Sequence, residues 1–203
     1  AFKLDFVNDK TPKRKHEKKL ISLLGMIFHR MLTGSAPANK KCTYEGRYES
    51  VIRKCLEKNP EQRYQSISEL KEDLKEAKER ADTRAILLEI NKAAAQYYYV
   101  QLKSSQGAVG LGYFKKRQLS DETIKAFGLG YSNKYSDDLY RYLKSKGYKD
   151  DMIAKAGLIS IDEKNGVYDK FWNRVMFPIM DVNSRVIGFG GRVMGDAKPK
   201  YLN

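Results

Sequence analysis

A chain of 203 residues with 41% hydrophobic residues can build one large core or two small ones. No apolar run approaches the roughly 18 residues that cross a bilayer, and the N-terminal stretch alternates polar and apolar before turning basic, which does not read as a secretory signal. The formal charge of +14 favours a polyanionic partner, and the excess is shared: residues 1–82 carry 19 Lys and Arg against 13 Asp and Glu, residues 83–203 carry 20 against 12.

The opening run "NDKTPKRKHEKK" is charged and contains Pro12, so it is expected to be a solvated lead-in. "LISLLGMIFHRMLTG" is apolar over most of its circumference and closes on Gly34, which predicts a buried helix with a glycine C-cap. After the loop "SAPANKKCTYEGR", the segment "YESVIRKCLEKN" is amphipathic, with Val51, Ile52, Cys55 and Leu56 on one face, and it ends before Pro60. Ser66 and Glu69 have capping-box spacing and open "ISELKEDLKEAKER". No Gly or Pro falls between Pro60 and Gly107, so one helix could run from Ile67 to Lys103, or Asp82 or Thr83 could cap a second. A domain boundary is placed there, between residues 82 and 83, because acid–base repeats give way to the apolar "ILLEINKAAAQYYYVQL".

The second half changes character. Short helices are expected at "LGYFKKRQ", at "SDETIKAF" with Ser120 as N-cap, at "SDDLYRYLKSKG" and at "DDMIAKAG". "GLGYS" reads as a strand. The period then shifts from 3.6 to 2, and "GLISID", "VYDKF", "RVMFPIM" and "RVIGFGGRVM" read as strands joined by "EKNG" and "DVNS" turns. The fold class is therefore α+β: an all-helical segment (1–82), then small helices with an antiparallel sheet (83–203).

The chemistry concentrates at the end. A dinucleotide fingerprint needs a strand, a tight turn and a following helix, and "GFGG" has no helix after it. Glycine inside a strand marks a bulge or a close approach, whether by a bulky ligand or by another element of the protein. Strict alternation places Val186, Gly188, Gly190 and Arg192 on one face and Arg185, Ile187, Phe189, Gly191 and Val193 on the other. An arginine beyond bare backbone suits a phosphate. Arg174 belongs to the preceding strand. "DAKPKYLN" adds Lys198, Lys200 and Tyr201: cations to track a backbone and a ring to stack on a base. Tyr97, Tyr98 and Tyr99 follow one another around a helix and cannot all stack on one ligand. Phe171 and Trp172 read as packing residues. Cys42, Cys55, His16 and His29 lack metal-ligand spacing, and Asp162, Glu163, Asp169 and Asp181 are separated by turns, so neither a metal site nor a catalytic residue is assigned. Two thiols in a lysine-rich chain fit a reducing cytoplasm.

Two resemblances follow. "SLLGMIFHRMLTG" and "KCLEKNPEQRYQSISELKEDL" resemble the end of the large lobe of a bacterial Hanks-type serine/threonine kinase, over residues 20–78. The resemblance implies that Arg63 pairs with an activation-segment acid. The glycine-rich loop, strand lysine and catalytic and metal-binding aspartates of phosphoryl transfer do not occur in the 203 residues, and Lys19 stands where that family has aspartate, so an active kinase is not expected.

"LLEINKAAAQYYYVQL", "LSDETIKAFGLGYS" and "KFWNRVMFPIMDVNSRVIGFGGRVMGDAKPKYLN" resemble the N-terminal subdomain of the catalytic core of bacterial DNA primase, the DnaG type, over residues 85–203. That resemblance implies contacts to template or incoming nucleotide from Arg174, Arg192, Lys200, Tyr201 and Asn203. Ala126 departs from the basic residue common before the phenylalanine of "FGLGY". It further implies a preceding zinc ribbon and a following Toprim domain that binds Mg²⁺ or Mn²⁺; neither lies in these residues, so the chain itself is expected to bind single-stranded DNA, RNA primer and ribonucleoside triphosphates without catalysing nucleotidyl transfer. A replicative helicase is the implied protein partner. A stand-alone nucleic-acid-binding module and a signalling adaptor docked through the kinase-like helices are the alternatives.

Overall fold

The computed structural model describes residues 13–135, 137–164 and 166–203. The chain divides after Thr83 into two compact units.

In the first unit, α1 (Lys13–Thr33) extends further toward the N-terminus than the apolar pattern alone predicts, because a run of lysines still forms helix when an apolar face follows. The expected lead-in up to Pro12 lies outside the described residues. Gly34 takes φ +77° and donates its N–H to the Arg30 carbonyl at 2.8 Å, which closes the helix. Only one side of α1 is buried. Ile21, Ser22 and His29 are covered, whereas Leu20, Leu23, Ile27 and Met31 are exposed. The fully buried helix anticipated from composition is therefore half right: with α2 (Glu49–Cys55) and the start of α3 (Ile67–Lys103) as its neighbours, the unit covers one face of α1 and leaves the other bare.

Val51, Ile52, Cys55 and Leu56 are all buried, as their spacing on α2 demands. Burial pushes the Cys55 thiol up to about 12. Arg63 turns inward and donates to the Glu57 carbonyl at 2.6 Å and the Lys58 carbonyl at 3.1 Å, so it satisfies carbonyls of the loop after α2 rather than pairing with an acid. Ser66 Oγ accepts the Glu69 N–H at 3.2 Å, and Glu69 reaches back to the Gln65 N–H at 2.8 Å, a capping box displaced by one residue. From there α3 continues without interruption to Lys103; no new cap forms at Asp82 or Thr83.

The second unit contains the rest of α3 and α4 (Ala108–Lys116), α5 (Asp121–Ala126), α6 (Asp138–Ser145) and α7 (Asp150–Lys155). Ser120 caps α5 by accepting the Thr123 N–H at 3.1 Å. The strands form two antiparallel sheets rather than one. β1 (Gly130–Ser132), β4 (Arg174–Met180), β5 (Val186–Val193) and β6 (Tyr201–Leu202) lie in the order β1–β4–β5–β6, while β2 (Ile159–Asp162) and β3 (Gly166–Asp169) make a separate hairpin.

The four-stranded sheet has a core on each side. Against one face, Ile90, Ala94 and Tyr98 of α3 pack with Leu139, Leu143, Ile153, Met176 and Phe189. Against part of the other, Phe114 and Ile124 of α4 and α5 pack with Leu102, Tyr131 and Val175. Tyr98 is the core member of the tyrosine triplet; Tyr97 stacks on Tyr142 with centroids 4.9 Å apart. Phe171 is buried as expected, but Trp172 is 41% exposed. Asp169, at the end of β3, is buried and accepts the N–H groups of Leu139 and Tyr140 at 2.9 Å each, so the hairpin supplies the cap that the N-terminus of α6 does not get from its own residues.

Candidate functional site

The register of β4, β5 and β6 decides what the glycine-rich strand presents. Residues directly opposite on paired strands share a face. Val175, Phe177 and Ile179 oppose Arg192, Gly190 and Gly188, and Tyr201 opposes Arg192 from β6. A bulge near Ile179 and Met180 shifts the count at the start of β5, so alternation holds from Gly188 onward but not before: Val186 packs toward the core and Ile187 is exposed.

The glycines have two different reasons. A Cβ on Gly191 would meet Phe171 at 2.8 Å, the Arg174 stem at 3.0 Å and the Met176 sulfur at 3.2 Å, so Gly191 is there for close packing inside the fold. Gly188 and Gly190 face the other way. A Cβ on Gly188 meets nothing within 4 Å, and one on Gly190 meets only the Asn203 amide oxygen at 3.3 Å and, at 4.0 Å, the Phe177 carbonyl. Helices α4 and α5 cover this face over β1 and β4, where Phe114 meets Phe177 edge-on at 5.8 Å, and stop short of β5 and β6. What remains is a strip of bare backbone.

Charged and aromatic groups border the strip. Tyr201 is 65% exposed, and Lys198, Lys200 and Asn203 are exposed around it. Arg192 is half-buried; it donates to the Val193 carbonyl at 3.1 Å, and its guanidinium lies over the Tyr113 ring, 4.7 Å from the centroid. Lys170 Nζ donates to the Asn203 carbonyl at 3.2 Å. No carboxylate among the described residues pairs with Arg192, Lys198 or Lys200.

Arg174 stands apart from the other residues grouped with it. It is only 3% exposed, and its guanidinium donates to the carbonyls of Gly191 at 3.2 Å, Pro199 at 3.0 Å and, more loosely, Lys200 at 3.5 Å. Burial draws its pKa down from the ordinary arginine value. Its place on β4 opposite Val193 turns it to the packed side of the sheet, away from the strip. Arg174 therefore holds the loop that carries the lysines; it does not meet solvent beside them.

Sequence reasoning brought together Arg192, Lys200, Tyr201 and Asn203, and the structure places these four on one sheet edge. It did not name Tyr113 or Lys170, which the fold brings against the Arg192 guanidinium and the Asn203 carbonyl. The stretch "GYFKKRQ" was visibly basic and aromatic, but only the packing of α4 on the sheet shows that its tyrosine turns toward β5. Among the described residues, no three His, Cys, Asp or Glu side chains converge as a metal site. Asp169 caps α6, and Asp181 accepts from Arg185 across the β4–β5 turn.

Residues 97–203 match the family described as the DNA primase catalytic core, N-terminal domain. The DNA primase of Clostridium acetobutylicum is 44% identical over 117 residues, covering 58% of this chain and 19% of the relative; that of Deinococcus radiodurans is 46% identical over 118 residues, covering 58% and 20%. Among solved structures, a DnaG primase catalytic domain bound to ssDNA aligns with a TM-score of 0.56 and 36% identity, covering 61% of this chain and 40% of that one. The chain spans about a fifth of the length of these curated relatives. No helix among the described residues is long and apolar enough to cross a membrane. With the match extending over more than half of its length, the chain belongs to the family of the DNA primase catalytic core N-terminal domain.

Proposed function

We propose that the second unit is the part of a bacterial DnaG-type primase that holds single-stranded template DNA and the growing RNA primer during replication. The observation that carries this reading is the strip over Gly188 and Gly190, open above Gly188 and met above Gly190 by Asn203, with Arg192 and Tyr201 on the same face, Lys198 and Lys200 exposed on the adjoining loop, and no carboxylate among the described residues paired to these cations. Bare backbone lets a polymer approach closely; uncompensated cations attract its phosphates; an exposed ring offers a base a stacking surface. The described residues lack a metal-ligand cluster, so no catalytic step is assigned to them. Transfer of a ribonucleoside monophosphate to a primer 3′-hydroxyl would need Mg²⁺ or Mn²⁺ held by residues other than these, as in a Toprim domain. Ribonucleoside triphosphates, a replicative helicase and a cytoplasmic setting belong to the same proposal for the whole enzyme.

The test is binding of a fluorescently labelled single-stranded oligonucleotide as salt is raised. Affinity is expected to fall linearly on a double-logarithmic plot, with a slope of about −0.7 per phosphate contact. Salt-independent binding, or affinity unmoved by replacing Arg192 and Lys200 together, overturns the reading.

A second reading concerns the first unit. The stripe Leu20, Leu23, Ile27 and Met31 on α1 is exposed, as a docking surface is. On this reading, residues 20–78 are a kinase-like helical segment without phosphoryl-transfer machinery that engages a partner. Capture of a partner that persists when residues 83–203 are deleted supports it; loss of capture on that deletion ends it.

A further inference from the structure

Tyr113 sits near the C-terminal end of α4, and two guanidiniums converge on its ring. Arg117, one turn along the same helix, places its Cζ 3.7 Å from the ring centroid; Arg192, from β5, places its own at 4.7 Å. Neither arginine forms an ion pair with a carboxylate among the described residues. Their hydrogen bonds go to main-chain carbonyls: Arg117 to Tyr113 at 3.5 Å, Arg192 to Val193 at 3.1 Å. Arg117 is exposed, and Arg192 and Tyr113 are half-buried.

Two like charges gathered on one ring repel each other. The negative face of the ring offsets part of that repulsion but leaves the net charge in place. Each guanidinium retains N–H donors beyond the one carbonyl it meets, and each has the planar fork that fits a phosphate. Such a pair, uncompensated by acids, is complementary to a group carrying negative charge on several oxygens. Tyr113 contacts both guanidiniums, so part of the cost of bringing the cations together is met in folding and not at the moment of binding.

We propose that Arg117 and Arg192, gathered by Tyr113, form a binding site for a single phosphate group. Arg117 is thereby a further ligand-binding residue, and Tyr113 a positioning residue that acts through both arginines. This rests on the proposed polynucleotide-binding role for Arg192 and extends the basic track from the sheet onto α4. The phosphate can be a phosphodiester of a single strand or a phosphate of a nucleoside triphosphate.

The experiment compares Arg117→Ala, Arg192→Ala, the double variant, Tyr113→Leu and Tyr113→Phe in the full chain. The probes are a labelled oligothymidylate and, separately, ATP without metal. Arg117→Ala and Arg192→Ala are each expected to weaken a phosphate probe about tenfold. The double variant should lose little more than either alone, because one phosphate is shared. Tyr113→Leu should behave like the arginine variants, while Tyr113→Phe, which keeps the ring, should bind like the native chain. For the oligonucleotide, the salt slope should decrease by about 0.7 in Arg117→Ala. Loss confined to the oligonucleotide assigns the site to a phosphodiester, loss confined to ATP assigns it to the nucleotide, and both support the pair. Arg117 is exposed, so its removal tests the site without depending on the fold. Unchanged affinity for both probes in Arg117→Ala, or losses that simply multiply in the double variant, overturns the inference. If instead Arg192→Ala itself leaves both probes unaffected, the proposed function of the strip fails together with it.

Discussion

Arg174 donates to the carbonyl of Pro199 at 3.0 Å, and through that bond a buried side chain of β4 holds the loop that carries Lys198 and Lys200. The same guanidinium reaches Gly191 in β5, so it joins the sheet to the loop beyond it. Replacing Arg174 with Ala strips buried carbonyls of their donor and opens a gap beside Gly191. A loss of about 2–4 kcal/mol of stability is expected, measured by urea denaturation. Lysine at this position has no fork and should recover only part of it. A stability change below about 0.5 kcal/mol in Arg174→Ala would contradict the assigned role.

The exposed cations and ring should behave differently. Lys200→Ala and Tyr201→Ala are expected to leave the melting temperature nearly unchanged while weakening single-strand binding. The lysine effect should fade as salt is raised, because it is electrostatic. The tyrosine effect, about 1–3 kcal/mol from lost stacking, should survive high salt and be restored by Tyr201→Phe. Fluorescence anisotropy at low and high salt separates the two.

Two glycines three positions apart should respond in opposite ways to the same methyl group. Gly191→Ala drives a Cβ into Phe171 and the Arg174 stem, an overpacking expected to cost about 1–3 kcal/mol. Gly188→Ala points into open space and should leave stability within about 0.5 kcal/mol of native. If a polymer crosses the strip, Gly188→Leu should reduce its binding without reducing stability. Thermal melts paired with binding curves on the three variants decide the matter.

Asp169 makes the second unit sensitive to pH. Burial pushes its carboxyl up to about 7; the N–H groups of Leu139 and Tyr140 oppose that rise, and Asp137 and Asp138 add to it. An unfolded aspartate gives up its proton near pH 4. Between about pH 4 and pH 7 the folded chain therefore keeps a proton that the unfolded chain has lost, so this group's contribution to stability is full below that window and is lost as pH rises through it. Denaturant titrations across the window should show the decline, and Asp169→Asn should flatten it. A native chain that gains stability through the same window, with Asp169→Asn removing the gain, would reverse the assignment.

Much of this protein was legible in one dimension because the signals were local. Val51, Ile52, Cys55 and Leu56 are buried on α2 because a helix repeats every 3.6 residues. Ser66 and Ser120 cap helices because a hydroxyl beside the first turn has free N–H groups to meet. The lysines and tyrosine of "DAKPKYLN" could be expected at the surface from composition, and Lys198, Lys200 and Tyr201 are exposed. Strand pairing was a different matter. The split into a four-stranded sheet and a separate hairpin, and the bulge that ends strict alternation at the start of β5, depend on partners far apart in the chain.

Residue types and spacing by themselves determined which segments are helix, which are strand, and where positive charge gathers, since each follows from periodicity or local hydrogen bonding. Tertiary structure alone decided the fates of two arginines and two glycines that look alike on paper. Arg174 and Gly191 fall on the packed face of the sheet, and Arg192 and Gly188 fall on the face that α4 and α5 leave partly bare. The physical reason is that successive residues of a strand point to opposite sides, so the side that becomes interior is set by which helices cover it and not by the strand itself.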